Sequence, residues 1–224
     1  KINDRSNIIF FYFSTRKSEN AVRFLGEFDG FLVCDGYAAY NALQNTRRCG
    51  CLTHVRRYWI NALPKEKSAY ETSSAAKGVD FCNRIYHEEK LLTELTAEER
   101  YKQRLVKIKP LLDAFFAWVE TLQVSGKNKL VDAVRYTLNE KKYLYTFLED
   151  GDVPIDNNRA ENAIRPFTVG RKNWLFNNTA RGAKCSALLY SVISTAQANG
   201  MDVEKYLTDL FSNPAGTILL PWNN

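Results

Sequence analysis

The chain has 224 residues, 45% hydrophobic and 13% aromatic, enough to bury a sizeable core as one large domain or two small ones. Lys and Arg number 31 against 25 Asp and Glu, a formal charge of +6 that suits a polyanionic partner. With no apolar run of about 18 residues and no apolar secretion signal, the expectation is a soluble intracellular protein without a membrane partner.

Five cysteines, Cys34, Cys49, Cys51, Cys82 and Cys185, are odd in number and irregularly spaced, which argues against a disulfide scaffold. Cys49-Gly50-Cys51 with His54 close behind invites a zinc reading. Its only further ligands would be Cys82 and His87, and buried strand thiols on one face are the expected alternative. The chain starts at Lys1 and enters a strand pattern at once, as a piece of a longer sequence would.

Asn7 to Phe13, NIIFFYF, has the β-branched and aromatic composition of a strand. Ser18 then caps a helical pattern through Leu25, GFLVC (Gly30 to Cys34) is a second strand, and Asp35-Gly36 follows at its C-terminal end. RRCGCL (Arg47 to Leu52) is a third strand, leading into a helix from His54 to Leu63. Strands alternating with helices predict α/β architecture with a largely parallel sheet.

From Lys65 to Gly151 the pattern is helical throughout. Thr96 to Glu99 is a capping box, and Pro110 should kink or split the helix that follows. Asp156 is an N-cap candidate for a helix from Asn157 to Arg165, stopped by Pro166. A second helix spans Ala183 to Asn199 with Gly200 at its exit, and Asp202 caps a last one. The expected organisation is an α/β part over 1–64, a helical insertion over 65–151, a return segment over 152–200 and a C-terminal helix and tail over 201–224.

Two carboxylates stand out. Asp35 lies where reactive groups gather in open parallel sheets, beyond the carboxyl end of a strand, although most Asp-Gly pairs are only turns. Glu161 has Arg165 one helical turn on, the makings of an ordinary ion pair, yet it is surrounded by Arg159 and by Asn157, Asn158 and Asn162, weak helix formers whose short amides suit a site that orients water, metal or phosphate. Phosphoryl transfer on DNA can be run by two Mg2+ ions about 3.5 to 4 Å apart held by a few well-separated carboxylates.

FLGEFDGFLVCDGYAAYN, CLTHVRRYW, NNRAENAIRPFTVGRKNWLF and the terminal LLPWN closely resemble successive motifs of the insertion-sequence sixty-six family of bacterial transposases. The resemblance implies an RNase H-like DDE core with a large helical insertion and a helical C-terminal segment. It implies that Asp35 is the second aspartate and Glu161 the glutamate, both ligands of Mg2+, for which Mn2+ can substitute. The first aspartate would precede Lys1 together with the first strands, so this stretch alone should be inactive; Asp4 matches a hairpin turn and is no substitute. CLTHVRRYW departs from the family pattern at Leu52 and Thr53. His54 is left as either a phosphate- or water-positioning residue or a hydrogen-bonded core histidine, and Asn158 is a second positioning candidate.

Arg165, Arg171, Lys172 and Trp174, with Phe167 and Phe176 interleaved, form a candidate DNA contact, basic groups for phosphates and aromatics for unpaired bases or for the core. Arg47, Arg48, Arg56 and Arg57 form a second basic cluster flanking Asp35. The implied reaction is hydrolysis at the element's ends followed by attack of the freed 3′ hydroxyl on target DNA, in a homo-oligomer, in the bacterial cytoplasm, with possible accessory proteins of the element. A remnant that only binds DNA or other subunits, and an RNase H-like nuclease, stay open beside it.

Overall fold

The computed structural model describes residues 6–174, 177–213 and 220–221, with the side chains of 171–174 outside that description. The chain forms two compact units, residues 17–157 and residues 1–16 with 158–224.

In the larger unit, helix α1 (Ser18–Leu25) leads to strand β1 (Gly30–Cys34), a turn of 3-10 helix at Ala38–Ala42, and strand β2 (Thr46–Gly50). β1 and β2 pair in parallel, Gly30 opposite Thr46 through Cys34 opposite Gly50. Both expected strands are thus present. Ser18, expected as a cap, is instead the first helical residue, after Lys17.

β2 passes through Cys51 into α2 (Leu52–Asn61), which packs against α3 (Ser74–Leu91) and α6 (Lys129–Leu144). The centre of this packing is Trp59, fully buried, with its indole N–H donating to Thr137 Oγ1 at 3.0 Å and its ring against Phe115 and Trp118. α3 lies directly on that ring at Gly78, where a Cβ would sit 2.3 Å from the indole.

The stripe after Thr96 is divided as the proline predicts. Thr96 and Glu99 form the capping box of α4 (Ala97–Gln103), a turn of π-helix spans Arg104–Ile108, and α5 (Lys109–Glu120) starts with Pro110 in its first turn. Pro110 has no N–H to give and its ring crowds the carbonyl four residues back, which the wide π turn relieves. The same turn carries Arg104 inward, where it pairs with Glu89 and donates to the carbonyls of Phe147 (3.0 Å) and Asp150 (2.8 Å).

The smaller unit contains α7 (Asn158–Trp174), α8 (Ala180–Ala198) and α9 (Val203–Ser212). Gly200 adopts φ +74° just past α8 and Asp202 caps α9 through the Lys205 N–H at 3.1 Å, both as expected. α7 does not stop at Pro166 but runs through it. The carbonyl that loses its partner belongs to Asn162, which is exposed, so water can replace the missing bond.

The segment Asn7 to Phe13 is extended but is not a sheet strand. Its backbone hydrogen bonds go to side chains of α8. The Ile8 N–H donates to Thr195 Oγ1 (3.0 Å), which donates back to the Ile8 carbonyl (3.1 Å), and Phe10 exchanges the same pair with Ser191 (2.8 and 3.4 Å). Asn199 takes the Ser6 N–H (3.2 Å) and gives to its carbonyl (2.8 Å). Four residues of helix rise about 6.0 Å and two residues of strand about 6.6 Å, so a polar stripe at i, i+4 and i+8 can serve alternate residues of an extended chain. The composition favours extended backbone; which groups complete its hydrogen bonds is a tertiary choice.

Candidate functional site

Asp35 follows the last residue of β1 and is half-buried. Its carboxylate Oδ1 accepts from the Tyr37 N–H at 3.1 Å, and its carbonyl accepts from Arg48 Nη2 at 3.0 Å. The next amide, Gly36 N–H, donates to the Tyr136 hydroxyl of α6 at 3.1 Å. Glycine is required at 36 by close approach, since a Cβ there would lie 2.7 Å from the Tyr136 ring and 3.1 Å from Glu140 Oε1.

Arg48 and Glu140 form a buried ion pair next to this turn, with Nη2 at 2.9 and 2.7 Å from the two carboxylate oxygens. Nη1 donates to Asn41 Oδ1 at 2.7 Å, and the guanidinium lies 3.9 Å over the Tyr143 ring. Burial pushes the Glu140 carboxyl up, while Arg48 draws it back down. Burial likewise lifts the neighbouring Cys34 thiol to about 11, against the pull of Arg48.

The second basic cluster therefore divides. Arg48 is committed to this buried pair and is not a phosphate contact. Arg47 pairs with Glu149 and lies 4.7 Å over Phe31. Arg56 Nε donates to Asn83 at 2.7 Å, and Arg57 is exposed on the same helix. His54 is the third residue of α2, near enough to Glu140 to pull its carboxyl down. Cys49 and Cys51 are buried thiols, Cys49 pushed up to about 12 by burial.

Sequence reasoning missed the α6 contribution, because nothing in YTLNE says that Tyr136 and Glu140 face a strand end 100 residues earlier. Their i, i+4 spacing on one helical face is the only local sign. Asp156, read as a helix cap, has a larger part in this unit: its Oδ2 accepts from the Tyr86 hydroxyl at 2.8 Å and from Thr53 Oγ1 at 3.2 Å, tying α2 and α3 together.

In the smaller unit Glu161 stands in the first turn of α7, where a carboxylate is favoured by the helix dipole. Asn158 begins that helix, Arg159 bonds the Ser6 hydroxyl, and Arg165 is exposed one turn after Glu161. The side chains of Arg171, Lys172 and Trp174, and all of Asp4, lie outside the described residues. Residues 1–16 and 158–224 hold ten Lys and Arg against five Asp and Glu, whereas 17–157 hold 21 against 20. Nearly all of the net positive charge thus belongs to the unit that carries Glu161. A groove of about 450 Å³ there, lined by Phe10, Phe11, Ile164 and Phe167, is apolar and offers no carboxylate.

As a hard oxygen donor at a strand end, Asp35 fits a divalent cation as a single ligand. The described residues do not complete a set, since no three His, Cys, Asp or Glu side chains among them gather as a metal-holding group. Among the described residues no helix is long and apolar enough to cross a membrane.

A family model described as "Transposase IS66 family" matches residues 2–185. Two curated proteins of Sinorhizobium fredii (strain NBRC 101917 / NGR234), both called uncharacterized, are similar along almost the whole chain. Protein y4hP is 29% identical over 96% of this chain and 43% of its own length, and y4qI is 31% identical over 93% and 41%. The chain thus spans less than half the length of these relatives, and no solved structure matches it. With the match covering most of the sequence, including both the Asp35 turn and the Glu161 helix, the chain belongs to the IS66 family of transposases.

Proposed function

We propose that these residues form the catalytic part of a DDE-type transposase with an RNase H-like core, cutting DNA at the ends of an insertion sequence and joining the freed 3′ hydroxyl to a target. The observation that carries this reading is the Asp35 turn: a carboxylate beyond the C-terminal end of a parallel strand, its backbone held on both sides, in a chain of this family.

Asp35 and Glu161 are the carboxylates that would hold Mg2+, with Mn2+ as substitute. When bound, such an ion supplies Lewis-acid stabilisation of the attacking and leaving oxygens. The chain's own groups bind and orient the DNA. Arg165 and, further along α7, Arg171 and Lys172 neutralise phosphates, with Trp174 for stacking. Arg56 and Arg57 on α2 contribute phosphate contacts of their own, and His54 and Asn158 orient phosphate or water. The partners in this reading are the element's ends, target DNA, further copies of the protein and accessory proteins of the element.

The test uses the full-length protein and DNA carrying the element's ends. Mg2+-dependent nicking should be lost in Asp35→Asn and in Glu161→Gln while DNA affinity is kept; nicking that survives both substitutions sinks the assignment. A second reading, DNA or subunit binding without cleavage, rests on the basic surplus of the unit that carries Glu161. Salt-dependent DNA binding by the full-length protein with no nicking in Mg2+ or Mn2+ would select it.

A further inference from the structure

We infer that Tyr136, with the Arg48–Glu140 pair beside it, positions the Asp35 carboxylate, which makes α6 part of the working site. The inference rests on the reading of Asp35 as a metal-binding carboxylate. The Asp35 carbonyl and the Gly36 N–H are the two ends of one peptide group. Arg48 Nη2 holds its oxygen at 3.0 Å and the Tyr136 hydroxyl takes its N–H at 3.1 Å. Gripped at both ends, the plane cannot turn, so the backbone angle that aims the Asp35 side chain is fixed. The Tyr37 N–H on Oδ1 at 3.1 Å then fixes the carboxylate itself.

Each group in the clamp is held in turn. Tyr136 stacks on Tyr58 with ring centroids 4.2 Å apart. Glu140 binds Arg48 Nη2 through both oxygens, Asn41 accepts from Nη1, and the Tyr143 ring lies against the guanidinium face. The missing Cβ of Gly36 lets Tyr136 and Glu140 come this close. A turn needing only an Asp-Gly pair for its shape would not require two buried charges and a tyrosine hydroxyl from a distant helix. A carboxylate that must point one way does, because partners behind a metal ligand set its direction and commonly change metal affinity or activity by about 10–100-fold when removed.

Tyr136→Phe removes one oxygen and keeps the stacked ring. In the full-length protein without DNA, Mn2+ titration should weaken about tenfold in this variant, and the Mg2+ concentration for half-maximal nicking should rise by a similar factor. DNA affinity should stay at the wild-type value, and the melting temperature should fall only by what one lost hydrogen bond to the Gly36 N–H accounts for. Arg48→Lys, which keeps the charge and loses the fork, should move both metal readouts the same way. A merely structural role would lower the melting temperature or the active fraction without shifting the metal titration. Wild-type Mn2+ affinity in Tyr136→Phe, with Asp35→Asn impaired, overturns the positioning role. Wild-type Mn2+ affinity and nicking in Asp35→Asn itself would instead remove the reading of Asp35 on which the inference stands.

Discussion

Arg48 and Glu140 meet at 2.7 Å, each side chain 7% exposed, joining a strand of the sheet to a helix 92 residues later in the chain. A pair so deeply buried costs much to desolvate, and its loss on one side leaves a charge with no partner.

Arg48→Met should therefore destabilise the protein by about 3–5 kcal/mol, whereas Arg48→Met with Glu140→Leu should recover most of that loss. Urea denaturation of the single and double variants measures both. A single variant as stable as the wild type would mean that water reaches Glu140.

The stripe Ser191, Thr195 and Asn199 should matter through the backbone it serves. Thr195→Val keeps shape but leaves the Ile8 N–H and carbonyl without their partner, at a cost of about 1–3 kcal/mol. Amide exchange at Ile8 and Phe10 should accelerate in Thr195→Val and Ser191→Ala respectively, and exchange in the larger unit, residues 17–157, should not change.

Buried thiols give a pH signature. Burial raises Cys34 to about 11 and Cys49 and Cys82 to about 12, from an ordinary value near 9. The folded state favours the protonated thiol, so this contribution is full below about pH 9 and is lost as pH rises from 9 towards 11 and 12. The urea midpoint should fall across that window. At neutral pH a thiol reagent should label Cys185, the exposed cysteine, and reach the other four only on unfolding.

Gly78→Ala should destabilise despite better helix propensity. The added Cβ meets the Trp59 ring at 2.3 Å, and the indole is pinned by Thr137, Phe115 and Trp118. Overpacking of about 1–3 kcal/mol exceeds the gain of about 1 kcal/mol from replacing glycine in a helix. Chemical denaturation followed by tryptophan fluorescence reports the balance.

The charge asymmetry predicts where DNA affinity resides. Arg165→Ala, Arg181→Ala and Lys184→Ala, all at exposed positions of α7 and α8, should each weaken DNA binding, and each lost phosphate contact should reduce the slope of log affinity against log salt by about 0.9. Lys127→Ala, in the nearly neutral larger unit, should leave the slope unchanged.

The sequence by itself determined the features that depend on neighbours in the chain. Thr96 and Glu99 cap a helix through groups three residues apart, Pro110 breaks a helix through its own ring, and Gly30–Cys34 and Thr46–Gly50 form strands where β-branched and apolar runs favour extended backbone. Asp35 beyond a strand end was equally legible, and so was the family through its collinear motifs. Tertiary structure alone decided which distant groups complete these local ones. NIIFFYF has the composition of a strand, but its hydrogen bonds are completed by helix hydroxyls almost 190 residues away. Arg48 reads as one of a run of cations, yet Glu140 turns it inward. Hydrogen bonds and ion pairs are paid for by ordering their partners, and a linear sequence carries no record of which partner, 100 residues on, folding brings within 3 Å.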